Sequence, residues 1–126
     1  MSIKTPMNRV LGLGSAKSGT EHWWAQRISS VALVPLTILL LFPFLSALGG
    51  GYEAVRAAYA SPFNALVAIL FIAVNFLHLQ QGLQVVIEDY VHEKRSRTVM
   101  MFCNTLLCGL LGAAGVFAIA KLSFGA

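Results

Sequence analysis

Apolar residues in this chain fall into three long blocks set apart by short polar stretches, rather than into a short-period mixture of core and surface positions. The first block runs from about Ile28 to Leu48, 21 residues without a charge. At ~1.5 Å per residue, a helix of that length crosses the ~30 Å of hydrocarbon in a bilayer. Pro35 and Pro43 lie inside it, and lipid tolerates them where neighbouring helices or local adjustments satisfy the freed carbonyls, so a kinked helix is expected. Gly49, Gly50 and Gly51 break it, and the stretch to Ser61, with Glu53 and Arg56 among apolar residues, reads as a short interfacial helix. Pro62 suits the first turn of a second spanning helix, from about Phe63 to Val91, which carries Asn75, His78, Gln80, Gln81 and Gln84. The third block, about Thr98 to Leu122, is uncharged until Lys121, and its Gly109, Gly112, Ala113 and Gly115 have the small-residue spacing that lets helices approach closely. The pattern predicts an all-α membrane protein with three transmembrane helices. It forms one membrane-anchor domain over 1–126, with a polar tail at 1–27 and spans at about 28–48, 63–91 and 98–122. The first 21 residues lack the apolar core and cleavage site of a secretory signal and read as a retained tail.

Composition agrees: 57% of residues are hydrophobic and 11% charged, against about 25% charged in an ordinary soluble domain. The formal charge of +4 would suggest nucleic acid if the cations formed a stripe on a polar face. Instead Lys4, Arg9, Lys17 and Arg27 precede the first block and Lys94, Arg95 and Arg97 sit between the second and third. Only Arg56 and Lys121 lie on the other side, so the positive-inside rule puts the N-terminus in the cytoplasm and the C-terminus in the periplasm. No nucleic-acid partner is expected. Membrane lipid is, with the chain as a multi-pass membrane protein. Cys103 and Cys108, five apart on one helix, cannot reach each other and imply neither a disulfide nor a zinc site. There is no P-loop and no dinucleotide fingerprint, hence no nucleotide-binding unit of the chain's own.

The chemistry is concentrated in the second span. His78 lies 11 residues before Asp89, ~16 Å along the helix and near mid-membrane, where an ionisable side chain is costly and points to function. It reads either as a neutral histidine hydrogen-bonded to another helix or as an axial ligand to haem iron, with Gly82 one turn on leaving room for a porphyrin edge. A six-coordinate haem would then take its other ligand from a partner chain, because this one has no second mid-membrane histidine. Eleven residues at ~100° each bring Asp89 nearly back onto the His78 face. Beside it, Tyr90 has a phenol that stays protonated and can donate to a carbonyl oxygen, which suits a quinone head-group, although tyrosines and charges are also common anchors where a span leaves the bilayer. Glu21-His22-Trp23-Trp24-Ala25-Gln26-Arg27 reads as an aromatic belt with a snorkelling cation, or as a segment whose Arg27 or His22 pairs with haem propionates.

His78-Leu79-Gln80-Gln81-Gly82 followed by Asp89-Tyr90-Val91, together with His22-Trp23-Trp24-Ala25-Gln26-Arg27, resembles the succinate dehydrogenase hydrophobic membrane anchor subunit in its alphaproteobacterial and mitochondrial-like form. The likeness extends over the whole chain in length, span layout and polarity. It implies a subunit of respiratory complex II, not catalytic as an isolated chain. A flavoprotein subunit with FAD would oxidise succinate, an iron-sulfur subunit would carry the electrons, and a cytochrome b556 anchor subunit would share one haem b with this chain. By motif match His78 would be the haem axial ligand and the metal-binding residue. Tyr90 and Asp89 would contribute to the ubiquinone site, and Arg27 and His22 would be haem-propionate or quinone-site candidates. Rival readings are a fumarate reductase anchor, and a small transporter or channel subunit with His78 in a proton path.

Overall fold

The computed structural model of the chain describes residues 19–125 and contains four helices among them: α1 (Gly19–Ala47), α2 (Gly51–Tyr59), α3 (Pro62–Tyr90) and α4 (Lys94–Phe124). The polar stretch with Lys4, Arg9 and Lys17 lies outside the described residues, as does Ala126. The three long helices have the length and composition to cross a membrane, as their apolar blocks predict. α1 begins well before its apolar block, however: Gly19 to Arg27 is helical, where the sequence reads as tail. Charged and aromatic side chains do not oppose helix formation, so α1 extends beyond its apolar stretch within the described residues.

α1 runs unbroken through Pro35 and Pro43. Side-chain hydroxyls bond back onto the same helix, Thr37 Oγ1 to the Leu33 carbonyl at 2.6 Å and Ser46 Oγ to the Pro43 carbonyl at 2.8 Å. Gly49 ends α1 and Gly51 opens α2 with φ of 82° and 70°, the left-handed region that side chains disfavour. α2 folds back against the bundle. Its Tyr59 is buried and donates to the Leu40 carbonyl at 3.3 Å, and its Arg56 reaches the Gly125 carbonyl at 3.2 Å, past the end of α4. Burial pushes the Tyr59 phenol above its ordinary value, which keeps it protonated as a donor.

α3 is the central element. Both α1 and α4 pack along it and do not pack on each other, so the spans form an open row. Against α4 the contact is close where glycine permits it: a Cβ on Gly112 would lie 3.2 Å from Phe76 Cβ, and one on Gly115 would lie 2.9 Å from Ile72 Cγ2. Gly109 meets nothing within 4 Å, so the close approach rests on Gly112 and Gly115 rather than on every small residue of the stripe. Buried Asn104 ties the two helices by donating to the Gln80 carbonyl at 2.9 Å.

Candidate functional site

On the other side of α3, toward α1, lies a polar seam. His22, Gln26 and Ser29 stand at i, i+4 and i+7, one face of α1. His78 and Gly82 face them from α3: Ser29 Oγ is 2.9 Å from His78 Nδ1, and Gln26 Nε2 is the atom nearest a Cβ built on Gly82, at 3.7 Å. The helices run antiparallel here, so rising numbers on α1 meet falling numbers on α3. Ser29 Oγ also lies 2.9 Å from the Gln26 carbonyl within α1.

Two buried polar atoms in this region, His22 Nε2 and Gln81 Oε1, have no hydrogen-bond partner among the described residues. Such atoms are rare in native interiors and each calls for an explanation. The 3.7 Å contact at Gly82 is ordinary van der Waals separation, so packing within the chain does not demand glycine there. The seam therefore offers an imidazole, nearby unsatisfied polar atoms and a position without a side chain, all of which fit the edge of a polar-rimmed planar ligand.

The other site residues predicted from the sequence are placed apart from His78. Arg27 lies ~100° around α1 from Gln26. Its guanidinium sits 5.4 Å from the Trp23 ring centroid, a cation–π contact, and Trp23 in turn meets Trp24 edge-on at 5.0 Å. Asp89 and Tyr90 close α3 at the end that bears the α3–α4 loop. Both are exposed, Tyr90 to 78%, so any pocket around them takes walls from outside the described residues. Beside them a cleft of about 490 Å³ opens between Glu88 on α3 and Arg97, Thr98 and Met101 on α4. Ser29 is the site residue that the sequence does not reveal. Its only signal is position: it continues the face of His22 and Gln26 into the apolar block.

The fold and seam define a three-span helical membrane protein with a polar interface between α1 and α3 and a polar cluster at one end. The succinate dehydrogenase/fumarate reductase transmembrane subunit family matches residues 1–112, and this chain belongs to it. Over its full length the chain is 35% identical to the succinate dehydrogenase hydrophobic membrane anchor subunit of Paracoccus denitrificans, covering 97% of that protein. The succinate dehydrogenase membrane anchor subunit of Reclinomonas americana is 35% identical over 75% of this chain and 81% of its own length. The Rickettsia typhi hydrophobic membrane anchor subunit is 28% identical over 83% of this chain and 84% of its own. No solved structure matches the chain significantly. It is thus a multi-pass inner-membrane anchor of a succinate dehydrogenase-type complex, an enzyme subunit rather than an enzyme by itself.

Proposed function

We propose that the chain shares a haem b with a second anchor subunit through His78 and helps form the site where ubiquinone is reduced, in a complex completed by a flavoprotein and an iron-sulfur subunit. The observation that carries this is the His78 site. An imidazole is held at mid-span by one nitrogen, and among the described residues no hydrogen bond reaches the other, Nε2. The names of the three relatives support succinate oxidation as the working direction.

The residues fit the group. His78 Nε2 would be the axial ligand, Gly82 would leave space for the macrocycle edge, and His22 Nε2 is a buried nitrogen suited to a propionate. Arg27, stacked on Trp23 and exposed, would supply a cation at the rim of the complex. When bound, haem b supplies a one-electron redox centre within the membrane. What this chain contributes is ligation, orientation and exclusion of water. Two cysteines are too few for an iron-sulfur cluster, which takes about four, so electrons must arrive from partner subunits.

Quinone reduction consumes two electrons and two protons, and the protons enter most readily where a helix meets water. At the end of α3 the Tyr90 hydroxyl would donate to a quinone carbonyl, and Asp89 would orient that hydroxyl or pass protons to the site. The test of the haem reading is His78→Ala in the assembled complex, followed by an optical spectrum. The six-coordinate b-type bands should vanish or become five-coordinate, while the helices still insert, because removing a polar residue from mid-span eases insertion. An unchanged spectrum would eliminate His78 as ligand.

A further inference from the structure

We propose that Ser29 determines which nitrogen of His78 is free to bind a ligand. The inference rests on the reading of His78 as an axial ligand and adds a positioning residue on a different helix. Ser29 Oγ is 2.9 Å from both His78 Nδ1 and the Gln26 carbonyl oxygen. A serine hydroxyl has one proton to give, and a backbone carbonyl can only accept. With that proton on Gln26, the contact to His78 is a hydrogen bond only if Nδ1 carries a hydrogen and donates it to Oγ. Nε2 then keeps its lone pair.

The opposite arrangement has the hydroxyl donate to Nδ1 and puts the ring hydrogen on Nε2. That donor would sit at mid-span with no acceptor among the described residues, a costly state in hydrocarbon. The first arrangement satisfies every group in the chain Gln26–Ser29–His78 and leaves a ligand atom rather than an orphaned donor. Because the two ring nitrogens point in well-separated directions, tying Nδ1 to Ser29 also turns Nε2 away from the Ser29 hydroxyl and limits rotation of the ring. Metal-binding histidines commonly give their other N–H to a fixed acceptor, which sets the tautomer and raises the basicity of the ligand. Ser29 supplies that acceptor across the α1–α3 seam.

A more basic imidazole favours the oxidised metal, so losing the acceptor should raise the haem midpoint potential. The discriminating variants in the purified complex are Ser29→Thr, which keeps a hydroxyl, and Ser29→Val, which has nearly the same shape without one. Potentiometric titration followed by the haem optical bands is expected to give a wild-type potential for Ser29→Thr. For Ser29→Val it should rise, by up to about tenfold in the oxidised-to-reduced ratio, or 59 mV for one electron. Loss of haem from Ser29→Val while Ser29→Thr stays loaded would equally support the role of the hydroxyl. If both β-branched variants lose haem, Ser29→Ala decides by the same titration. Potentials equal to wild type in every hydroxyl-free variant that binds haem would overturn the proposal. His78→Ala is run alongside: if haem were unaffected by it, the ligand assignment itself would fall, a result distinct from failure of the Ser29 role.

Discussion

Tyr90 is an aromatic residue left 78% exposed at the end of a spanning helix, next to an exposed carboxylate and with no partner for its hydroxyl among the described residues. If that hydroxyl donates to a quinone oxygen on which charge develops, its removal is felt in the rate of quinone reduction and not upstream. Tyr90→Phe keeps the ring and deletes only the donor, and one such donor contributes about 10² to 10³ in rate. Quinone-linked turnover should fall by that order, while succinate oxidation by an artificial acceptor that takes electrons before the membrane stays near wild type. Haem content should hold as well, since Tyr90 is ~18 Å along α3 from His78 at 1.5 Å per residue. Wild-type quinone turnover and affinity in the variant would return the residue to interfacial anchoring. His78 and the Asp89-Tyr90 pair are legible in the sequence because each conflicts with its surroundings: an imidazole amid leucines, an acid where a helix dipole favours cations. Ser29 conflicts with nothing. A serine in a spanning helix can satisfy its hydroxyl on its own backbone, as Ser30 does on the Arg27 carbonyl at 2.8 Å, so only the register of α1 against α3 reveals which serine meets the histidine.

The α3–α4 loop sets charges against local preference on both of its sides. α3 ends with Glu88 and Asp89, and α4 begins with Lys94, Arg95 and Arg97, each group of the sign its helix dipole disfavours. Glu93 offsets part of this at α4: its carboxylate accepts from the Arg95 backbone N–H at 3.0 Å and the Ser96 backbone N–H at 2.6 Å, a helix N-cap. Hydrogen bonding from Ser96 and then Arg95 holds the Glu93 carboxyl below its ordinary value. The folded form is thus the stronger acid, and its contribution is fully present above the ordinary carboxylate range near pH 4.3 and lost as pH falls below it. Amide protection at Arg95 and Ser96, corrected for intrinsic exchange, should drop on acidification into that range and be low at all pH values in Glu93→Ala. Packing of α4 gives a second expectation. Gly115→Val would drive its side chain into Ile72 and lower thermal stability in detergent by about 1–3 kcal/mol, whereas Gly109→Val enters open space and should leave the melt nearly unchanged. Hydropathy locates all three spans but misplaces the start of α1. The reason is physical: transfer energy defines where a chain can sit in lipid, whereas a helix ends only where its backbone hydrogen bonding ends.

For the whole molecule, the open row of spans leaves large apolar side chains such as Phe42, Phe102, Leu110 and Phe117 exposed, and few hydrophobic residues are buried. In a bilayer these side chains would face lipid or, on the proposed reading, the helices of a second anchor subunit. Orientation in the bilayer decides what reaches the seam and the α3 terminus. Seven of the nine cations lie before the first apolar block or at the start of α4, with Arg56 and Lys121 alone at the opposite end. The three cations at the start of α4 stand against the dipole of their helix, so helix stability does not account for their position; we propose retention on the cytoplasmic side, by the positive-inside rule, as the reason. On that orientation, an odd number of spans would send the C-terminus across to the periplasm. Asp89 and Tyr90 lie at the same end of the bundle as those cations, so on that orientation a quinone bound there would draw its protons from the cytoplasm and stand on the same side as soluble subunits that deliver electrons. Alkaline phosphatase, which is active only outside the cytoplasm, should therefore be active when fused after Ala126 and inactive when fused in the loop around His92. The opposite pair of activities would reverse the orientation. It would also place the Asp89-Tyr90 pair on the periplasmic side, away from cytoplasmic electron donors, and the quinone assignment would fall with the topology.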